Sequence, residues 1–234
     1  EIMIGLSRVI GVYDSQDYDP GDEDPDTDAT EEVNLTFTEG VRTVQVEDGF
    51  TESAAFAGVA DLTINSASPT TPSGSDGGLF WRDDPAAGVR QWALIKFGNI
   101  LEEIPDIDSL ELVDPSTINA QLEFRVFNTG GSATVHQLLV DFTEQTTFST
   151  FAGGRAPTVV TDYLMDDVGM IDGESTDTVM VDVSQLVLDL LNGVLRPFND
   201  EIRLILVPQA MDGENETGVR STEFSALNSR PILR

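Results

Sequence analysis

Apolar and polar positions alternate with a period of two along most of this chain. Val33, Leu35 and Phe37 share one side of a short extended segment, and Val44 and Val46 repeat the pattern. Leu62 and Ile64 follow. In RQWALIKF, Ala93, Ile95 and Phe97 alternate with Trp92 and Leu94, so both faces are apolar. The clearest case is 118–128, where Ala120, Leu122, Phe124 and Val126 oppose Gln121, Glu123 and Arg125. Further strands are predicted at 134–141, 178–183, 201–208, 219–224 and at the terminal PILR. Turn-forming clusters such as PTTPSGSDGG and NTGG separate them. This pattern predicts an all-β protein, an antiparallel β-sandwich or jelly roll.

One segment departs from that period. SQLVLDLLNG carries Leu186, Val187, Leu190 and Leu191 as a helical stripe. Ser184 is the expected N-cap and Gly193 the expected C′ residue. A lone short helix between strands is expected to plug one end of a sandwich. No repeat of 20–50 residues is visible, which argues against a solenoid.

Charge is distributed unevenly. The chain has 234 residues, with 42 Asp plus Glu against 12 Lys plus Arg and a formal net charge of −30. That balance excludes a nucleic-acid binder, which needs Lys and Arg against phosphates, and disfavours docking on an anionic membrane. No apolar run is long enough to predict insertion into a bilayer. There are no cysteines, so disulfides, thiolate metal sites and cysteine nucleophiles are all absent. No signal peptide is recognisable, so an exported chain is expected here in its mature form. Residues 14–32 hold ten acids and no base, and residues 1–48 together carry −12. The chain is therefore divided into an N-terminal strand and acidic extension, 1–48, and a sandwich, 49–234.

From about residue 50 the order of motifs resembles the DNRLRE, or disaggregatase-related, domain. The matching pieces are LFWRDD (79–84), QWALIKFGNI (91–100), Ile104–Pro105 and TINAQLEFRVFN (117–128). They continue with VHQLLVDFTE (135–144), VMVDVSQLVLDLLNG (179–193), IRLILVP, an acidic loop at Asp212–Gly213, STEFS and SRPILR. Lys96 stands where that family usually carries Arg. The resemblance implies a non-catalytic sandwich of secreted bacterial and archaeal proteins, akin to carbohydrate-binding modules. It also implies that one structural calcium is held between loops, for which the stretch containing Asp166, Asp167, Asp172, Glu174 and Asp177 is the candidate.

The acid-rich start offers a second candidate for Ca²⁺. Asp17, Asp19, Asp22, Glu23, Asp24, Asp26 and Asp28 supply oxygen ligands at close spacing, although Asp22 occupies a position where an EF-hand needs Gly. Like charges at this density repel, so order in the segment needs counter-charge, from hard cations or from contact with a neighbouring chain. Trp81, with Asp83 and Asp84 beside it, is the candidate sugar-stacking site, whereas Trp92 in its alternating strand is expected in the core. His136 is the single histidine and sits mid-strand, where a satisfied structural group is expected rather than a base. Without a second histidine or any cysteine, the usual nucleophile triads are mostly excluded. No catalytic residues are assigned, and the chain is not expected to be an enzyme.

The apolar leader, with Ile2, Ile4, Leu6, Val9, Ile10 and Val12, is expected to form a strand. It can pair with its own sandwich or add to the exposed edge of another copy. A sandwich of this family closes without such a leader, which favours the second use. These readings converge on an extracellular or cell-surface structural protein. It is expected to form a homopolymer through its N-terminal extension, with calcium as the stabilising ion. The alternative is the carbohydrate-binding module of a secreted polysaccharide-active protein.

Overall fold

The computed structural model describes residues 2–11, 35–44, 58–100, 118–175, 177–195, 197, 201–209 and 215–234. It is all-β, and every pair of named strands is antiparallel. Strands β1 (Ile2–Gly11) and β2 (Leu35–Val44) pair with each other across their whole length, from Ile2 against Val44 to Gly11 against Leu35. They form a two-stranded sheet of their own. The two short strands expected around Phe37 and Val44 are thus one ten-residue strand running through Gly40.

The other ten strands among the described residues form one continuous, curled sheet. They are β3 (Val59–Asn65), β4 (Gly78–Asp84), β5 (Val89–Gly98), β6 (Gln121–Asn128), β7 (Ala133–Leu138), β8 (Tyr163–Ile171), β9 (Thr178–Asp182), β10 (Glu201–Pro208), β11 (Thr217–Arg220) and β12 (Ile232–Leu233). The hydrogen-bonded path runs β12-β6-β11-β4-β5-β10-β7-β8, with β3 also on β5 and β9 also on β6. Strand β5 is where the path changes layer. It pairs with β4 through residues 89–91 and with β10 through 93–98, while β3 takes its other edge. One layer is therefore β3-β5-β10-β7-β8, and the facing layer is built from β4, β11, β6, β9 and β12.

Side-chain alternation decides what lies between the layers. Ala93, Ile95 and Phe97 of β5 face inward with Leu204 and Leu206 of β10, against Leu122, Phe124 and Val126 of β6. Trp92 and Leu94 point the opposite way. They join Leu62, Ile64, Ile205, Phe142 and Phe151 in a second core beneath the segment that follows β7, where Phe148 stacks on Trp92 at 6.2 Å between ring centroids. A strand buried on both faces loses the polar half of its alternation, which is the pattern the sequence shows at 91–97. The segment over this second core is tied down by Lys96, whose Nζ donates to the Phe142 carbonyl oxygen at 2.9 Å. Arg203 adds ion pairs to Asp141 and Glu201.

Helix α1 (Ser184–Leu191) places Leu186, Val187, Leu190 and Leu191 in the main core. Its C-terminus ends as expected. Gly193 has φ 65°, and the Val194 N–H reaches back to the Asp189 carbonyl, so two turns close over the last helical carbonyls. The start differs from expectation. Val183 holds the N-cap position, and Ser184 is already helical. Its Oγ instead accepts the Ala120 N–H at 2.9 Å, which fastens the helix to the start of β6.

Candidate functional site

Trp81 does not present a ring to solvent. It sits on β4 with its side chain fully buried in the main core, and its Nε1 donates to the Gly131 carbonyl at 2.7 Å. The same oxygen accepts the Thr217 hydroxyl at 2.7 Å, so the indole N–H satisfies a turn rather than a ligand. The sugar-stacking role expected for Trp81 is corrected on this ground. LFWRDD alternates like a strand, and its inward positions are Leu79 and Trp81. Asp83 and Asp84 close the β4–β5 hairpin. Asp83 pairs with Arg90 across the ladder at 2.9 Å, and Asp84 accepts the Ala87 N–H at 2.8 Å. That backbone bond, aided by Arg82, holds the Asp84 carboxyl below its ordinary value. Asp83 is therefore a cross-strand ion-pair partner and Asp84 a turn-forming group.

The aromatic surface that the structure does offer was missed in the sequence. Phe127, on the outer face of β6, lies edge-on to Phe80 at 5.7 Å, and the Arg220 guanidinium covers it at 4.0 Å. Gly218 lies beneath these rings, where a Cβ would come within 2.8 Å of Phe127. The alternating polar neighbours of Phe127 gave the only signal. The cation already occupies the space a ligand would need on that ring.

The stretch 166–177 is not a single loop. Asp166 and Asp167 belong to β8, and only Asp172, Glu174 and Asp177 fall in the turn toward β9. In that turn the Asp172 carboxylate accepts the Glu174 N–H at 3.0 Å. Asp177 accepts the Thr178 N–H at 2.8 Å and pairs with Arg125 at 3.1 Å. Gly173 rests on the Gly130–Gly131 turn so closely that a Cβ there would lie 2.2 Å from the Gly131 oxygen. Among the described residues, no three acidic or histidine side chains are arranged to hold a metal ion. The five acids proposed as one calcium site are thus not brought together, because the strand carries two of them away from the turn. Asp17, Asp19, Asp22, Glu23, Asp24, Asp26 and Asp28 lie outside the described residues.

What the fold does assemble is a cleft of about 610 Å³ between β8, the end of β9 and the start of α1. Asp166 and Asp167 line it from β8, Asp182 from β9 and Asp189 from α1, while Leu164 and Leu186 supply apolar surface. A second cleft of about 510 Å³ continues along the helix past Val194 and shares Leu164 and Asp189. Among the described residues, no basic side chain lines either one. Asp182 and Asp189 escaped the sequence reading because each is an ordinary polar position of its own element. Asp182 also accepts the Ser184 N–H at 2.9 Å, and Asp189 accepts from Gln185 at 2.8 Å. Strand β8 pairs only with β7 among the described strands. Its register slips on both sides of His136, so β8 carries extra residues there. Such bulges fit the exposure of Leu164 and of Met165, the latter 66% accessible.

His136 is a structural group. Its Nδ1 lies 3.0 Å from the Leu164 carbonyl and its Nε2 lies 2.8 Å from the Thr134 hydroxyl, with Tyr163 packed at 5.0 Å. Of the expected assembly residues, Ile2, Ile4, Leu6, Val9 and Ile10 lie on β1, and Val12 lies outside the described residues. No protein-family model matches the chain, and no curated protein matches it.

Proposed function

We propose that this chain is a non-catalytic structural protein of the cell exterior that assembles with copies of itself through its N-terminal strands. The observation that carries this reading is the placement of charge. Strands β1 and β2 hold Arg8 and Arg42 against Glu39, a net +1, which leaves −31 on the other 214 residues. Two bodies of charge −30 repel wherever acidic surface meets acidic surface. The β1–β2 pair is the part of each whose own strands add no negative charge to a contact, which leaves the ten acids that join them to be neutralised. It also forms a sheet separate from the sandwich, whose main core is made of residues from 79 onward.

Calcium belongs to the same reading. Ten acids and no base in residues 14–32, next to the proposed joint, call for a hard counter-ion when copies come together. The likeness to the DNRLRE domain is retained as a proposal for the sandwich itself. The carbohydrate-binding alternative is weakened by the burial of Trp81, the ring that motivated it.

Size-exclusion chromatography and negative-stain microscopy, with and without EDTA, test this function. Concentration-dependent polymers that shorten in EDTA and vanish on deletion of residues 1–13 are expected. A monomer under all conditions, or polymers indifferent to that deletion, would overturn it.

A further inference from the structure

We infer that the acceptor for β1 is the β8 edge at the acidic cleft of a second copy, so that β1 adds there as a strand. This rests on the assembly reading above and names its missing half. Three observations support it. First, among the described strands β8 pairs only with β7, and beyond the isolated Val159–Tyr163 bridge this leaves an edge for main-chain hydrogen bonding. Second, the lengths match, ten residues in β1 and nine in β8. Third, the charges are complementary. β1 contains Arg8 and no acid, whereas the cleft brings together Asp166, Asp167, Asp182 and Asp189 with no base among the described residues.

The aspartate pair also explains why β8 would not simply join another β8. Such pairing would bring four carboxylates together, and like charges facing one another oppose it. A strand carrying one cation and no anion escapes that exclusion. Specificity then comes from repulsion of wrong partners as much as from attraction of the right one. The apolar residues of β1 match the exposed apolar rim at Leu164, Met165 and Val194.

A charge exchange in the full-length chain tests this. Arg8→Glu alone, and Asp166→Arg with Asp167→Arg, should each weaken self-association by roughly tenfold or more, read by sedimentation velocity over a concentration series. The three changes combined should restore it to within a few-fold of the original chain. Thermal melts followed by circular dichroism verify that each variant is folded. A photo-crosslinking residue replacing Leu6 should join β8 of another copy. Loss of assembly on deleting residues 1–13, with full assembly of the Asp166/Asp167 variant or crosslinks only to other strands, would overturn β8 as acceptor while sparing the assembly reading. Assembly that survives the deletion would overturn both.

Discussion

Replacing Asp61 by Asn should stabilise this protein at neutral and alkaline pH, and the gain should fade in acid. Asp61 lies on β3 with 1% of its surface exposed. Its Oδ2 accepts the Thr222 N–H at 2.8 Å. Burial pushes its carboxyl up to about 7 from 3.8, the two hydrogen bonds from Thr222 oppose that rise, and Glu223 and Glu144 add to it. The sign follows from linkage. The folded state holds this proton more tightly than the unfolded chain, so the Asp61 contribution is most favourable below about pH 4. It is lost progressively as pH rises to about 7. The full interval corresponds to about 4 kcal/mol at 1.36 kcal/mol per pH unit, an upper bound because relaxation and water entry reduce it. An Asn keeps an oxygen for the Thr222 N–H and never ionises. Chemical denaturation of both proteins from pH 4.5 to 8.5 isolates the effect, because the other carboxylates are common to both. The variant should be more stable by about 2–4 kcal/mol at pH 8, narrowing to about 1 kcal/mol at pH 4.5. A variant no more stable than the original at pH 8, or a difference that does not change with pH, would refute the argument.

Other consequences can be read from single contacts. Trp81→Phe should destabilise by about 1–2 kcal/mol in urea titrations, because it removes the bond to Gly131 and some core volume. Asp162→Ala should cost about 2–3 kcal/mol by the same assay, since this buried carboxylate holds Arg155 at 2.5 and 2.9 Å and the Thr158 N–H at 2.7 Å. Arg155→Ala should cost less than Asp162→Ala if the Thr158 bond shares the load. Val160 has φ 69° and an exposed β-branched side chain, so Val160→Gly should raise the melting temperature, by up to about 1 kcal/mol in stability.

Much of the fold was legible because it depends on neighbours along the chain. The inward set Leu122, Phe124, Val126, the two-faced strand at 92–97 and the stripe Leu186–Leu191 are periodic, and period reports local geometry directly. Gly193 was legible for the same reason, since a left-handed residue after a helix is a local need. Acidic density was misleading at 166–177, where carboxylates were read as loop ligands although two of them decorate an edge strand.

The sequence by itself determined the class of fold, the faces of its clearest strands, the end of its helix and the concentration of acid near the start. Tertiary structure decided what each polar or aromatic residue does. Trp81 is core because Gly131, fifty residues on, supplies its acceptor. Asp61 is buried because Thr222, 161 residues away, closes over it. The cleft exists because β8, β9 and α1 converge on one opening. Alternation is imposed by bonds between adjacent residues and survives in the sequence. Burial and electrostatic environment are set by contacts across the curled sheet, which no stretch of the chain records alone.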